Sequence, residues 1–574
     1  EVLRYLHRFR RRFLLGVLFL LATNALSLAI PRLLKQAVEA MEQGSDLDRV
    51  GRTAAVILAV ASLQALVRSL SRVQLLGMSR EVAFDLRSRL FDHLTRLPPA
   101  WFDRVRTGDV MSRAVNDMSS VRSLFGPGLM NLCNTVIVYG AGLVLMARID
   151  WRMTLLALVP YPLLLAAVQR AGRLVQRRTN EAQEQLGEIS NHLQENLSGA
   201  LLVRAFAQEE QEIRRFEERN RDYLRRNLRL ALARGGIVSI MGAVGGLGTA
   251  VVLWLGGLRV LSGRISLGDF VAFNGYLGLL AWPTVAMGWV INVFQRGGAA
   301  LRRIGEILDA VPAPTGTTDG DDGLQARPEV ELRGVSFAYA GGLRPALSDV
   351  TLRVPAGAFV GVVGGVGSGK STLAHLIARL YPPGSGEIRI GGERLESMPA
   401  GRLRRTVGLA PQEPFLFSNT LLENVGLGLD PLDPERILES GRIARLDPDV
   451  AEMPAGWETL VGERGHTLSG GQRQRAALAR TVAPRPAVLI LDDSLSSLDA
   501  ETERAVLERL RREMRDGILI LISHRLTSVL GADRVFFLRD GRLVEAGPPG
   551  ELLGAGGPFS AMFRRQQTGW EADR

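Results

Sequence analysis

Over roughly its first 300 residues the chain alternates long uncharged apolar runs with stretches rich in Arg, Glu and Gln. A helix crossing ~30 Å of hydrocarbon at about 1.5 Å per residue needs roughly 20 largely apolar residues. Phe13–Pro31, Leu124–Ala147, Met153–Gln169, Gly235–Leu258 and Phe270–Gln295 fall near that length. Thr53–Val67 is shorter and has to continue past Arg68 and Arg72, which either snorkel toward the inner surface or face a polar cavity. Together these runs predict six spans.

The spacing between the runs adds a second level. The long stretches after the second and fourth runs keep a helical apolar period, as at Ile189, Leu193, Leu197, Leu201 and Leu202. They predict membrane helices that continue into the cytoplasm and fold back. The opposite links are short, at Asp150–Arg152 and Gly257–Asp269. Arg8, Arg10, Arg11 and Arg12 precede the first run, and Glu39, Glu42, Asp46 and Asp48 follow it, so the N-terminus is expected on the cytoplasmic side.

Beyond Val311 the texture changes. Residues 311–328 are dense in Pro, Gly, Thr and Asp and predict a linker. From 329 to 574, short β-branched runs alternate with amphipathic helical patterns, the signature of an α/β domain. The expected architecture is therefore an α-helical transmembrane domain over 1–310 with cytoplasmic extensions, a linker, and an α/β domain over 329–574.

Composition narrows the function. With 22% charged residues unevenly placed, the chain is not a wholly soluble enzyme. A net charge of +11 raises nucleic acid as a partner, but the arginines cluster beside the apolar runs. Membrane lipids are the expected partner there, and no nucleic acid is. Nearly all of the 70 basic residues are arginine, so the two lysines, Lys35 and Lys370, stand out. The single Cys133 excludes a disulfide framework and a cysteine metal cluster.

Lys370 falls inside the sharpest motif. An apolar strand, Val360–Val363, runs into Gly364-Gly365-Val366-Gly367-Ser368-Gly369-Lys370-Ser371-Thr372, followed by a helical pattern through Leu373, Ile377 and Leu380. This is a phosphate loop in its strand–loop–helix setting. The glycines let backbone N–H groups curve around a β-phosphate, Lys370 reaches the β- and γ-oxygens, and Ser371 offers a ligand to Mg²⁺. A second buried strand, Val488–Leu491, ends in Asp492, whose carboxylate is placed to hold Mg²⁺.

Leu468-Ser469-Gly470-Gly471-Gln472 opens another helix and offers a hydroxyl and free N–H groups to a second phosphate contact. One loop already cradles the nucleotide, so this turn is expected to act on nucleotide held by another subunit. His524 follows the strand Ile518–Ile522, where it can meet a γ-phosphate. Gln412 follows an apolar run and can reach Mg²⁺ or attacking water, and Tyr339 precedes the loop where it can stack on adenine.

These residues together resemble the ATP-binding cassette (ABC) transporters, specifically type IV exporters in which one membrane domain precedes one nucleotide domain. The resemblance implies that Gly364–Ser371 is the Walker A loop, Val488–Asp492 the Walker B strand and Leu468–Gln472 the signature. It also implies that Gln412 is the Q-loop residue, Ser496–Asp499 the D-loop and His524 the switch histidine. Trp101–Asp117 and Val203–Phe216 are similar to the two coupling loops, and Val461–Gly465 to the loop set against them. ATP and Mg²⁺ are the implied cofactors, and the inner membrane the implied location.

One departure stands out. The family usually carries glutamate after the Walker B aspartate, and this chain has Asp493. The shorter side chain holds its carboxylate ~1.5 Å back from the water it would activate, and proton transfer depends steeply on placement. Either an extra water or a small backbone shift restores activity, or the resemblance extends to heterodimeric multidrug exporters, with a second homologous half-transporter supplying the catalytic Glu. The expected cargo is an amphipathic small molecule or peptide. A lipid flippase and a nucleotide-gated channel or regulator are the alternatives on the same scaffold. Asn131, Asn134, Thr135, Asn274, Tyr276 and Trp289 are polar or amphipathic groups within the spans that either line a cavity or bond helix to helix.

Overall fold

A computed structural model describes residues 5, 7–43, 47–312, 328–342, 344–462 and 465–572. It divides into two compact units, Glu1–Leu94 with Thr107–Ala310, and Thr95–Arg106 with Val311–Arg574. Most of the expected linker and the pair Glu463-Arg464 lie outside the described residues.

The first unit is helical. Its long elements are α1 (Arg10–Glu42), α2 (Leu47–Leu94), α3 (Thr107–Leu158), α4 (Pro160–Ser198), α5 (Glu209–Leu261) and α6 (Leu267–Leu308). By length and composition, four of these can cross a membrane: α1, most of α2 (Asp48–Leu94), α3 and α6. The run around Thr53–Val67, short by sequence, is thus part of one 48-residue helix. Among the described residues α5 carries a shorter apolar stretch, Thr249–Leu261.

The expected turn at Asp150–Arg152 is visible in the backbone. Asp150 alone within Leu129–Leu158 leaves helical geometry, at φ −157° and ψ 111°. Its carboxylate accepts from the N–H groups of Arg152 and Met153 at 2.9 and 3.0 Å, an N-cap for the helix that follows. Arg259 of α5 pairs with the same carboxylate. Glycines set the close helix approaches. A Cβ on Gly297 would lie 2.6 Å from Leu124, and one on Gly275 3.0 Å from Pro31. Lys35 ties the end of α1 to the start of α6 through Asp269 at 2.6 Å.

The second unit is built on two sheets. The smaller is antiparallel, in the order β2 (Leu347–Val354), β1 (Val330–Phe337), β4 (Ser385–Ile390), β5 (Glu393–Arg394). The larger runs β10 (Arg542–Gly547), β9 (Arg534–Arg539), β3 (Phe359–Gly364), β8 (Ile518–Ile522), β7 (Val488–Asp492), β6 (Val407–Ala410). It is parallel except for the β10–β9 edge pair. Strands β3, β7 and β8 are buried along their whole length, which explains why they read as unbroken apolar runs rather than alternating ones. The sheet's two faces feed separate cores, one around Leu478, Leu491 and Val506, the other around Leu376, Ile490 and Phe536.

Candidate functional site

Because the larger sheet is parallel, its strand ends line up. The register pairs Val362 of β3 with Ile522 of β8, Ile522 with Asp492 of β7, and Leu491 with Ala410 of β6. The loop Gly364–Lys370, the approach to His524, the Asp492–Asp493 pair and the approach to Gln412 therefore leave four neighbouring strands at their carboxyl ends. Ligand crevices form at such ends in open α/β sheets.

The loop itself is shaped by glycine. Gly364 has φ +151° and Gly369 has φ +97°, and a Cβ on either would fall 2.1 Å from the Leu538 carbonyl oxygen or 2.5 Å from that of Ala346. By contrast, a Cβ on Gly365 or Gly367 would meet nothing within 4 Å, so the loop is concave and open on one side. Lys370 begins helix α7 (Lys370–Ile377) and is buried. Its Nζ donates to the carbonyls of Gly364 and Gly365 at 2.9 and 2.7 Å. Burial pushes this ammonium below the ordinary lysine range, with Asp492 and Asp493 partly opposing. An anion in the loop relieves that cost.

Ser371 Oγ donates to Asp492 Oδ1 at 3.1 Å. Burial raises the Asp492 carboxyl above the usual carboxylate range, and the Ser371 bond only partly offsets it. Among the described residues no group of three or more His, Cys, Asp or Glu could hold a metal. One hydroxyl and one carboxylate beside a phosphate cradle fit Mg²⁺, which keeps few protein ligands and takes the rest from phosphate and water. The raised pKa has a checkable sign. The folded state prefers the protonated acid, so ionisation costs stability as pH rises through that range. Without Mg²⁺, Asp492→Asn is expected to melt higher than wild type at neutral pH, with the gap closing toward acid. A gap that widens toward acid contradicts this.

Asp493 has φ +47°, in the left-handed region that Asp tolerates better than bulkier residues. Its Oδ2 lies 4.0 Å from His524 Nε2, and Oδ1 accepts from the His524 backbone N–H at 3.5 Å. The His524 carbonyl accepts from Gln566 Nε2 at 2.6 Å. Gln412 is exposed just past β6. The half-buried Tyr339 sets its hydroxyl 3.3 Å from Thr372 Oγ1, with its ring edge-on to Phe337 and Tyr381.

The second phosphate-type turn stands apart. Ser469 caps helix α8 (Gly470–Val482) in a capping box, its Oγ accepting from the Gln472 N–H while Gln472 accepts from the Ser469 N–H. Gln474 joins this helix to the D-loop through Ser496 Oγ and the Ser497 N–H. Among the described residues, no polar contact of Ser469–Gln472 reaches the loop 364–371. A Cβ on Gly470 would come no nearer than 3.8 Å to Ser497, so packing within this chain does not require glycine there.

Sequence reasoning missed Gln566, which latches the His524 loop, and Arg525, which bonds the D-loop carbonyls of Ser496 and Leu498. It also missed Tyr381, whose hydroxyl donates to Asp103 at 2.8 Å. Each contact joins residues far apart in sequence, and no local pattern announces it.

Comparison with known proteins names the architecture. Residues 13–284 match the family described as ABC transporter transmembrane region and residues 347–496 the family described as ABC transporter. A probable multidrug resistance ABC transporter ATP-binding/permease protein of Bacillus subtilis (strain 168) is 32% identical over 97% of this chain and 95% of its own. The chain belongs to the ABC transporter family. A multidrug resistance-like ATP-binding protein of Escherichia coli (strain K12), MdlA, is 31% identical over 98% of this chain and 95% of its own. A bacterial Atm1-family ABC exporter solved with ATP bound superposes with a TM-score of 0.81 at 26% identity, covering 97% of this chain and 99% of that one. The chain is thus an ATP-hydrolysing, multi-pass inner-membrane protein with its nucleotide-binding domain in the cytoplasm.

Proposed function

We propose that this chain is one half of a heterodimeric, ATP-driven exporter that moves amphipathic compounds out of the cytoplasm or inner leaflet. The membrane domain occupies 1–310 with six spans, the linker 311–328 and the ATPase 329–574. The reading follows the likeness to multidrug-type transporters, and its finer form follows a likeness to the B subunit of the Thermus heterodimeric multidrug exporter. A single observation carries the division of labour. Among the described residues the turn at Ser469–Gln472 makes no polar contact with this chain's phosphate loop, yet it keeps a glycine that its own packing does not need.

In this reading Lys370 exchanges its two carbonyl partners for β- and γ-phosphate oxygens, and Tyr339 stacks on adenine. Ser371, Asp492 and Gln412 would hold Mg²⁺, which would neutralise phosphate charge there. The partner's signature turn closes over that nucleotide. Asp493 sits too far back to activate water well, so His524 and Asp493 line a slow site. Ser469, Gly470 and Gly471 close over the partner's phosphate loop, and its glutamate drives turnover. Closure favours one of two conformations of the membrane helices, and hydrolysis returns the other. Inside-out vesicles bearing the assembled pair should accumulate an amphipathic dye with ATP and not with a non-hydrolysable analogue. Uptake that follows binding of the analogue, without turnover, would favour the channel. A fully active pair of identical copies would end the asymmetric reading.

A further inference from the structure

We infer that the membrane unit carries a binding site for a long-chain amphiphile with an anionic head, centred on Arg68 and Arg72. The inference rests on the exporter reading and names a cargo class for it. Helices α1, α2, α3 and α6 line a half-open cavity of about 310 Å³ in which Arg68 and Arg72 are exposed. Its lining includes Arg68, Arg72, Asn24, Asn131, Asn134 and Trp282, and contains no Asp or Glu.

The depth follows from how α1 and α2 pair. Arg8 meets Asp85 at 2.8 Å, Arg12 meets Glu81 at 2.9 Å, and Ser71 Oγ donates to the Gly16 carbonyl at 2.9 Å. The first two pairs sit at the charged cytoplasmic margin, and the uncharged run begins at Phe13. Gln64 pairs with Ser27, which sets Arg72 and Arg68 level with residues 19 and 23 of α1, about 9–15 Å inside that margin at ~1.5 Å per residue. Asn24 and Leu28, farther along α1, carry the cavity to about 20 Å.

The donors in the cavity are not equivalent. Asn24 Nδ2 already donates to Leu20 O and Asn134 Oδ1, and Asn131 Nδ2 donates to Pro127 O. Arg68 and Arg72, one helical turn apart, have no hydrogen-bond or ion-pair partner among the described residues. Uncompensated guanidinium groups at that depth are costly, and arginines kept within spans mark substrate paths. A carboxylate or phosphate between them satisfies both, and its tail then runs up past Trp282 toward Leu279 and Val138. This is the orientation of an inner-leaflet amphiphile with its head toward the cytoplasm.

The test uses the assembled full-length transporter in nonionic micelles. The probe is 11-(dansylamino)undecanoic acid, compared with its neutral primary amide by fluorescence titration. The acid is expected to bind at least about tenfold tighter, R68Q/R72Q to bring it to the amide's affinity, and R68K/R72K to keep most of the preference. Displacement by oleate or by lysophosphatidate distinguishes a carboxylate from a lipid phosphate, and equal displacement by lysophosphatidylcholine overturns the site. Equal affinity of acid and amide in the wild type overturns it without any variant. So does R68Q/R72Q lowering the melting temperature or dissociating the pair while acid binding persists, which would assign the arginines to carboxylates of the other half. Acid-selective binding without ATP-driven accumulation in vesicles would sink the exporter reading and leave the site standing.

Discussion

Asp493→Asn should leave most of the assembled transporter's ATPase activity, whereas Ser469→Asp or Gly470→Ala should lower it about a hundredfold or more, the scale of losing one donor to a developing charge. Ser469 has two roles to separate, since its Oγ also caps α8. Ser469→Ala removes the cap as well, costing ~1 kcal/mol of helix stability. Aspartate is an equally good cap, so Ser469→Asp preserves α8 while setting a negative charge against phosphate. Gly470→Ala is a second separation, because the added methyl has room within this chain. Any loss it causes reports on what approaches from outside. Melting temperatures of both variants should stay near wild type. Loss with Asp493→Asn as complete as with Ser469→Asp would show that hydrolysis depends equally on this chain's own carboxylate.

The second large effect is Gly369→Ala, expected to weaken ATP binding at this chain's site at least about tenfold, or ~1.4 kcal/mol. At φ +97° an L side chain is strained, and its Cβ would press on a backbone carbonyl that cannot swing aside. The loop must open to accept it, and opening misplaces the N–H groups that face phosphate. Gly365→Ala is the control, with no neighbour within 4 Å of the new methyl and no positive φ. It should fold and melt like wild type, with any cost confined to the nucleotide-bound state. Labelled ATP photocrosslinked to this chain measures both. Binding by Gly369→Ala at wild-type strength would mean the loop relaxes more easily than its contacts imply.

Much of the nucleotide site is readable without coordinates because its chemistry is contiguous. A phosphate loop is nine neighbouring residues whose glycines answer to local backbone geometry, and Lys370 was conspicuous as one of two lysines. Strands β7 and β8 declared themselves because burial on both faces demands unbroken apolar runs. The short link at Asp150 was equally local, a side chain capping the helix it begins. Helix α2 was harder to read. Two arginines interrupt its apolar run, and a hydropathy pattern cannot say whether a charge faces lipid or a cavity.

Composition and local pattern by themselves determined that this chain joins an apolar helical half to a phosphate-binding α/β half, since burial period and loop geometry are properties of neighbouring residues. Only the tertiary structure decided which distant groups meet. Tyr381 and Asp103 stand 278 residues apart, Gln566 and His524 stand 42 apart, and Arg68 lines one cavity with asparagines of two other helices. Those meetings depend on strand order and on how helices cross. Both are set by the summed packing of many side chains rather than by any segment alone.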